Sequence, residues 1–432
     1  MKRYSEYKDS GVKWIGEIPG HWKMPKLNRV VSKVGSGSTP RGGSEVYIDE
    51  GIKFLRSQNI HFEGLNLDSV VYIPDSINEQ MKNTQVQPFD VLLNITGGSI
   101  GRCFYVDDTL GKANVNQHVC IIRPLSVNYR FLKYFLQSNS GQSQVWFYQK
   151  GDREGLSAES IKTFRLPLPP LPEQQAIVTY LDTKVAKIDE YISIAEKKIA
   201  ALEELKQTII AEAVTRGIHK DVLMKDSGVK WIGMIPEHWK VMRLSQIAYE
   251  HFISNKKIHH QNLLSLSYGQ IIRKDINGTN GLLPASFDTY QVVEEGNIIL
   301  RLTDLQNDHK SLRVGLVKET GIITSAYLCL APKNMVYSKF LYFQLHACDI
   351  KKVFYSMGDG LRQSLNYDGM RKLASVIPPL LEQQEIVNYI EAKVANINQL
   401  CQAERSQIEK LKEYKQRLIS DVVTGKVKVT ND

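Results

Sequence analysis

The sequence has no long apolar run and few cysteines. No stretch of about 18 apolar residues is present, which argues against a membrane-spanning helix. The opening MKRYSEYKDSG lacks the apolar stretch that a signal peptide needs. The five cysteines are widely spaced and form no C-x-x-C pair, so we expect neither zinc nor a disulfide framework. These absences predict a cytoplasmic chain with reduced thiols. Its length of 432 residues predicts two or more domains.

The sequence also lacks the common motifs of enzymes. It contains no G-x-x-x-x-G-K-[ST] phosphate loop, no G-x-G-x-x-G after an apolar strand and no H-E-x-x-H. The Pro-Pro pairs in LPPLP and IPPLL lack the flanking polar and aromatic residues of an amino-methylating site, and PDSINEQMK has the wrong spacing for a nuclease. The adjacent pair His259 and His260 fits an exposed loop better than a metal site. We therefore predict no catalytic residues and no metal site in this chain.

What the sequence does have is an internal repeat. DSGVKWIGEIPGHW, from Asp9, returns as DSGVKWIGMIPEHW from Asp226. GDREGLSAESIKTFRLPLPPLPEQQ, from Gly151, returns as GLRQSLNYDGMRKLASVIPPLLEQQ from Gly360. Between these anchors only DVLLNIT and NIILRLT resemble each other. Each copy thus has a shared opening segment, a divergent middle and a shared closing segment, which indicates that one whole domain occurs twice.

The closing segments predict two long helices. Prolines force extended backbone in LPPLP and IPPLL, and apolar residues then recur every three or four positions until Gly217 and Gly425. Lys206 and Lys415 interrupt this seam at the same place in both copies. Two ordinary core helices are the alternative, but matched helices of roughly 44 residues exceed the usual length in domains. We therefore expect an antiparallel coiled-coil pair.

Together these patterns predict an α+β chain in which two long antiparallel coiled-coil helices separate two pseudo-symmetric globular α/β domains. Strand-like runs such as VLLNI and VCIIRP alternate with the helix-like YRFLKYFLQSNS. The expected boundaries are 1–172 for the first domain, 173–217 for the first helix, 218–381 for the second domain and 382–432 for the second helix.

The charge of the chain points to a polyanionic partner. The net charge is +9, yet the two helical segments together hold 14 basic and 16 acidic residues, so the basic excess lies in the globular domains. Two basic domains joined by a helical pair would suit the phosphates of duplex DNA.

The chain resembles the specificity subunit of type I restriction–modification systems. The doubled opening and closing segments and the two long helices carry this resemblance. Further segments that resemble this family are GSGSTPRGG, FLRSQNI, DVLLNITGGSIGRCFYV and ANVNQHVCIIRP in the first copy, and LLSLSYGQIIRKDI and RLTDLQNDHKSLR in the second. The resemblance implies two target-recognition domains, each reading one half of a bipartite, asymmetric DNA sequence. It also implies that the helices set the spacer between the half-sites.

The same resemblance implies partner subunits and assigns the chemistry to them. Two methyltransferase (modification) subunits would dock on the helices, and motor-nuclease (restriction) subunits would join the complex. S-adenosylmethionine, ATP and Mg²⁺ would be bound by those partners and no cofactor by this chain. The alternatives are a fused nuclease or methyltransferase, which the missing motifs oppose, and a coiled-coil scaffold or pseudo-dimeric DNA-binding regulator without a methyltransferase partner.

Residue type within the divergent middles selects candidates for DNA contact, because Arg and Lys suit guanine and phosphate while Asn and Gln suit adenine. The candidates are Arg41, Arg56, Gln58, Asn59, Lys256, Lys257, Tyr268, Gln270, Arg273, Lys274, Arg301, Thr303 and Gln306. A plain flexible turn is the alternative for the glycine-rich loop, and a core strand is the alternative for the last three residues.

Two further sets of repeated residues have assigned roles. We assign partner docking to the repeated EQQ at the start of each helix, which comprises Glu173, Gln174, Gln175, Glu382, Gln383 and Gln384. The repeated tryptophans are expected to pack within their own domain, with stacking on an unpaired base as the alternative. They are Trp14, Trp22, Trp231 and Trp239.

Overall fold

The computed structural model describes residues 2–149, 155–219, 221–276, 286–305, 308, 311–357 and 364–429. The chain divides into two compact units. Unit 1 comprises Met1–Ala195 and Ser406–Asp432, and unit 2 comprises Glu196–Arg405. The division falls inside the two long helices, so each helix contributes residues to both units.

Unit 1 combines short strands with helices of moderate length. Its strands are β1 (Tyr7–Asp9), β2 (Glu17–Pro19), β3 (Val31–Ser36), β4 (Ile52–Leu55), β5 (Val71–Ile73), β6 (Val91–Asn94), β7 (Cys103–Tyr105), β8 (Ala113–Val115) and β9 (Val119–Pro124). Its helices are α1 (Asp75–Gln80), α2 (Tyr129–Gln137), α3 (Asn139–Tyr148), α4 (Ala158–Lys162) and the first part of α5 (Leu171–Arg216).

Two sheets form the body of unit 1. The first is antiparallel with the order β3-β9-β6-β7, and the second has the order β5-β4-β8 with β4 and β8 parallel. Strand β6 is buried on both faces: Val91 and Leu93 join the core that includes α2, while Leu92 joins the core that includes Leu55 and Val115. This double burial explains why β6 reads as an unbroken apolar run, which is typical of a central strand.

Unit 2 also combines short strands with helices. Its strands are β10 (Met224–Asp226), β11 (Met234–Pro236), β12 (Lys240–Arg243), β13 (Ala248–Glu250), β14 (Ile253–Ser254), β15 (Leu264–Ser267), β16 (Gln270–Arg273), β17 (Gln291–Val293), β18 (Ile298–Leu300), β19 (Val314–Leu316), β20 (Gly321–Ile323), β21 (Leu328–Pro332) and β22 (Ala374–Ile377). Its helices are α6 (Leu244–Ile247), α7 (Ser338–Ile350), α8 (Tyr367–Met370) and the first part of α9 (Leu380–Val423).

The main sheet of unit 2 repeats that of unit 1. Its order is β13-β21-β18-β19, and a second sheet has the order β14-β17-β20. Strand β18 is the counterpart of β6, because Ile298 and Leu300 join one core and Ile299 joins another. The pairing of DVLLNIT with NIILRLT in the sequence therefore marks the same central strand in the two units.

Each unit contains the beginning of one long helix and the end of the other, and these two segments run antiparallel. In unit 1, Lys415 Nζ donates to Asp189 Oδ1 at 2.7 Å. In unit 2, Lys198 Nζ lies 2.5 Å from Glu404 Oε1, and Lys206 Nζ donates to Asn398 Oδ1 at 3.3 Å. Residue numbers fall on α9 as they rise on α5, and the lysines that interrupt the seam are paired across the two helices. The structure thus confirms the antiparallel pair within each unit.

The ends of the helices explain two repeated glycines. Gly217 and Gly425 follow α5 and α9 with φ near +75°, where glycine is favoured. A Cβ at Gly425 would also overlap the ring of Pro19, so the chain end packs closely against the opening segment of unit 1. Helix α9 ends at Val423, which is earlier than the predicted helical segment 382–432, because the chain leaves the helix at this glycine.

Candidate nucleic-acid interface

In both units a glutamate joins the opening segment to the first turn of a long helix; Glu173 is buried and Glu382 is partly buried. Trp22 Nε1 donates to Glu173 at 3.2 Å, and His21 Nε2 lies 2.9 Å from the same carboxylate. In unit 2, Trp239 Nε1 donates to Glu382 at 3.0 Å, with His238 Nε2 at 2.7 Å. Trp22 and Trp239 are fully buried, so their predicted packing within their own domain is confirmed.

The first glutamine of each EQQ is also used inside its unit. Gln174 accepts from the backbone N–H of Asn128 at 2.8 Å and donates to Pro169 O at 2.8 Å. Gln383 accepts from the N–H of Tyr337 at 2.8 Å and donates to Pro378 O at 2.9 Å. Both glutamines are buried.

These contacts bear on the docking role assigned to the six EQQ residues, which stays a prediction. The glutamate and first glutamine of each motif already bind groups in their own unit, so they are poorly placed to bind a partner. Gln175 and Gln384 are exposed, although Gln175 Oε1 accepts from Asn128 Nδ2 at 3.0 Å.

Several loops of unit 1 meet at one end of its main sheet. A Cβ at Gly37 would overlap the carbonyl oxygens of Val115 and Asn116, so only glycine permits this approach of the loop after β3 to the loop before β9. Thr39 Oγ1 donates to Gln117 Oε1 at 2.7 Å, and Asn94 at the end of β6 donates to Ser57 O at 2.8 Å. We call residues 37–43, 56–59, 95–102 and 116–118 the loop edge of unit 1.

The four candidates in unit 1 all lie on this loop edge, but they differ in exposure. Arg41 and Gln58 are exposed. Arg56 is half-buried and donates through Nη2 to Ser69 O at 3.0 Å. Asn59 is 0% exposed, accepts from the N–H of Arg56 and donates to Asn66 O, so its side chain stabilises the loop instead of facing a base.

Gln117 is an exposed member of this loop edge that residue type alone did not select. Its Nε2 lies 2.9 Å from His118 Nε2, and His118 Nδ1 lies 2.6 Å from Thr96 Oγ1. The motif GSGSTP is the signal that could have identified it, since Gly37 and Thr39 bring that loop onto residues 115–117.

In unit 2, strands β15 and β16 form a hairpin with an exposed aromatic tip. Its two-residue turn holds Tyr268 at φ 47° and Gly269 at φ 77°, a pair of positive values that matches the right-handed twist of a hairpin. Tyr268 is 84% exposed, and Gln270 beside it is also exposed. A ribbon of two strands is one of the elements that fit the major groove of DNA.

The structure brings the loop after β18 next to this hairpin tip, since a Cβ at Gly269 would lie 2.9 Å from Leu312 Cβ. Thr303 on that loop is exposed, and Arg301 is half-buried with its Nη1 3.7 Å from Asp308 Oδ2. Arg301 and Thr303 lie just beyond β18 and are not part of the core strand. We call residues 267–270, 301–305, 308 and 311–313 the loop edge of unit 2.

The remaining candidates of unit 2 lie in other places. Arg273 is at the far end of the hairpin, where its Nε donates to Glu319 Oε1 at 2.6 Å, and Lys274 beside it is exposed. Lys256 and Lys257 are exposed on a single 3₁₀ turn after β14. Gln306 lies outside the described residues.

The residues that the structure describes lack two kinds of feature. No group of three or more His, Cys, Asp or Glu side chains lies together there in a way that could hold a metal ion. Within the same residues, no helix is long and apolar enough to span a membrane. All five cysteines are buried as free thiols.

Comparison with known proteins connects this architecture to a family. The family model for the type I restriction modification DNA specificity domain matches residues 19–204. A Methanocaldococcus jannaschii protein, named as the MjaX specificity subunit of a type I restriction enzyme, is 22% identical over 96% of this chain and 96% of its own length. Residues 19–204 thus match this DNA specificity domain, and the chain as a whole is similar to specificity subunits of type I restriction enzymes.

Solved structures of this family share the fold. A chain from a structural study of complex assembly in the type I R-M system has a TM-score of 0.68 and 15% sequence identity over 94% of this chain and 98% of its own. The HsdS subunit of Thermoanaerobacter tengcongensis has a TM-score of 0.52 and 17% identity over 95% of this chain and 98% of its own. The α+β fold with long coiled-coil helices that the sequence predicts is therefore confirmed.

Proposed function

We propose that this chain is the DNA sequence-specificity subunit of a type I restriction–modification complex, and that each unit reads one half of a bipartite, asymmetric target. One observation carries the proposal. The two units repeat the same scaffold, including the Trp22–Glu173 and Trp239–Glu382 contacts, while the loops at the ends of their main sheets differ. A repeated scaffold with different edges suits two different half-sites.

The exposed side chains of these edges have the chemistry that DNA recognition needs. Arg41, Gln58 and Gln117 lie on the loop edge of unit 1, and Tyr268 and Gln270 lie at the hairpin tip of unit 2. Arginine binds guanine edges or phosphate, and glutamine forms paired hydrogen bonds with adenine. The exposed lysines Lys256, Lys257 and Lys274 are proposed to bind phosphate, which would give affinity without sequence preference.

The long helices present a second repeated surface, which we assign to the methyltransferase partner. In unit 1 it consists of Tyr180, Lys184, Tyr191 and Tyr414, and in unit 2 of Tyr389, Lys393, Leu400 and Leu205. Each member of the first set has its repeat counterpart in the second. Lys184 Nζ lies 5.8 Å from the ring of Tyr180, and Lys393 Nζ lies 5.6 Å from that of Tyr389. We call these two sets the helix surfaces.

The helix surfaces suit two copies of one partner. Exposed apolar side chains grouped on one face commonly mark a protein interface. Tyr191 is 62% exposed and its counterpart Leu400 is 50% exposed, so large apolar groups face solvent at the same position in both units. We therefore propose that two methyltransferase subunits bind, one on each helix surface, and that the helices set the spacer between half-sites.

The proposed complex places all chemistry outside this chain. Its partners would be duplex DNA, the two methyltransferase subunits and the motor-nuclease subunits, which would supply S-adenosylmethionine, ATP and Mg²⁺. The chain itself would contribute no catalytic residue and would act in the cytoplasm, where the host DNA lies.

The test is to express the chain with its methyltransferase subunit and to sequence the host DNA for N6-methyladenine. We expect methylation confined to one split motif, and one half of that motif should change when residues 23–150 are exchanged for those of another system. A stable complex without motif-specific methylation would instead favour a scaffold that binds protein only.

A further inference from the structure

A single buried arginine holds the loop edge of unit 2. Arg313, the residue before β19, is 0% exposed. Its Nη1 donates to the carbonyl oxygens of Arg301 at 3.0 Å and Thr303 at 2.9 Å. Its Nη2 donates to those of Asp304 at 3.1 Å and Asp308 at 2.6 Å. One guanidinium therefore satisfies four backbone carbonyls of the loop after β18.

The guanidinium is itself fixed by neighbouring side chains. Arg313 Nε donates to the Tyr355 hydroxyl at 3.2 Å, and that hydroxyl donates to Asp308 O at 3.1 Å. The backbone N–H of Arg313 donates to the buried carboxylate of Asp349 at 2.6 Å. These contacts anchor the arginine to α7 and to the 3₁₀ turn after it. Because the arginine binds the loop, the position of the loop is fixed relative to the core of unit 2.

The chemistry of arginine explains why this residue stands here. Carbonyls that turn into a protein need donors, since an unpaired buried carbonyl is costly. A guanidinium offers five N–H donors in a rigid planar fork, whereas a lysine offers three donors from one nitrogen. With its carbonyls turned inward, the loop presents the side chain of Thr303 to solvent and leaves Arg301 half-exposed.

Unit 1 has no buried arginine at the matched position of its main sheet. Arg102 occupies the matched position, because Asn94 N donates to Arg102 O at 2.8 Å as Arg301 N donates to Arg313 O at 2.9 Å. Arg102 is half-exposed, and the loop that it closes is shorter. The buried clamp is thus a feature of unit 2 and of its longer loop.

We infer that Arg313 is a positioning residue for DNA recognition: by clamping four carbonyls it fixes the loop edge of unit 2 and thereby the half-site that this unit reads. The inference rests on the proposed function. It extends to the hairpin tip, because Leu312, next to Arg313, packs against Gly269 beside Tyr268.

The experiment compares three variants of the full chain, each expressed with the methyltransferase subunit and scored by N6-methyladenine sequencing. Arg313→Lys and Arg313→Met remove the planar fork. Arg371→Met is the matched control, because Arg371 is an exposed arginine of the same unit whose Nε lies 3.3 Å from Oδ1 of the exposed Asp368. Exchange of residues 23–150 identifies which half of the motif unit 1 reads.

For both Arg313 variants we expect the half-site of unit 2 to become degenerate, with at least a tenfold loss of discrimination at one or more bases. The half-site of unit 1 and the binding of two methyltransferase subunits should persist. A purely structural role would lower methylation at both half-sites or abolish the complex, and this result would overturn the inference.

Two further outcomes separate this inference from the proposed function. If the parent chain and all variants methylate one unchanged split motif, Arg313 does not position the reading loop and the inference fails alone. If the parent chain directs no motif-specific methylation, the proposed function fails. A thermal melt of each complex shows whether Arg313→Met has unfolded unit 2; should it do so, Arg313→Lys is the variant that decides.

Discussion

At the residue scale, the glutamates Glu173 and Glu382 hold the opening segment of each unit against its long helix. Glu173 accepts from the Tyr4 hydroxyl at 2.5 Å as well as from Trp22. Burial and this bond to Glu173 raise the pKa of Tyr4, so its hydroxyl remains a donor. We expect Glu173→Ala to destabilise unit 1 by about 1–3 kcal/mol, because Trp22 Nε1 loses its partner in a buried site. Urea unfolding followed by tryptophan fluorescence measures this change.

Glu190→Ala is the matched control, since Glu190 lies on the same helix but is exposed. It should change the free energy of unfolding by no more than about 0.5 kcal/mol. If the two variants unfold at the same urea concentration, the carboxylate of Glu173 does not stabilise the joint.

A second residue-scale prediction concerns acid stability. Burial, with a smaller contribution from Lys206, lowers the pKa of His346 from 6.5 to about 4. Its Nε2 lies 2.9 Å from Gln207 Oε1, inside unit 2. The unfolded chain therefore takes up the proton first as the pH falls. The stability due to neutral His346 is present above pH 6.5 and is lost as the pH falls toward about 4, by at most about 3 kcal/mol.

His346→Gln should flatten this dependence, because glutamine has no proton to bind in the range. Unfolding midpoints of unit 2 measured between pH 7 and pH 4.5 test it. His259→Gln, which replaces an exposed histidine of the same unit, is the control. In this variant the unfolding midpoint should depend on pH as it does in the parent chain. Equal slopes for all three chains would contradict the assignment.

Residue type selects the candidates for DNA contact, but it does not show which of their side chains are exposed in the folded unit. Arg41 and Asn59 are equally plausible from the sequence, yet Arg41 is exposed and Asn59 is 0% exposed. Arg313 has the residue type of a DNA contact but is buried by the loop that it clamps. Neither difference has a local signature in the sequence, because each depends on which distant loop folds over the side chain.

At the scale of elements, the helix surfaces predict how many partners bind. Tyr180→Ala should remove one methyltransferase subunit and Tyr389→Ala the other, because each lies at the same repeat position on its own surface. Each variant loses an aromatic ring of the kind that often dominates the binding energy of an interface. We expect the loss to weaken binding of that methyltransferase subunit by about 2 kcal/mol. Native mass spectrometry should find one partner on each single variant at limiting concentration and none on the double variant.

The controls for this prediction are Glu190→Ala and Gln399→Ala, which alter exposed residues at matched positions on the same helices. These variants should retain two partners. Loss of both partners from either single tyrosine variant would contradict two independent surfaces.

The long helices could be predicted because their signal is long and occurs twice. Helices α5 and α9 begin at Leu171 and Leu380, immediately after the proline pairs, and end just before Gly217 and Gly425. The strands of the divergent middles could be predicted only in part, since many are three residues long. Strand β6 was visible as a continuous apolar run, but β4 and β8 pair in parallel across a long separation that no local pattern encodes.

At the scale of the whole molecule, the repeat predicts more than the fold of each unit. In each unit, the residue at the start of the divergent segment forms an antiparallel backbone pair with the residue at its end. Lys23 pairs with Leu168 in unit 1, and Lys240 pairs with Ile377 in unit 2. The joints between divergent segment and helix are thus the same in both copies, and the difference between the units lies in what is inserted between them.

This equivalence leads to a prediction about the whole chain. If residues 240–377 are replaced by a second copy of residues 23–168, both units should read the half-site of unit 1, because the grafted segment enters and leaves through the same strand pairing. With the methyltransferase subunit present, N6-methyladenine sequencing should then find a target that contains one half-site twice. The reverse graft should duplicate the other half-site. A folded graft that binds two methyltransferase subunits yet keeps the parent motif would mean that the divergent segments do not carry the specificity.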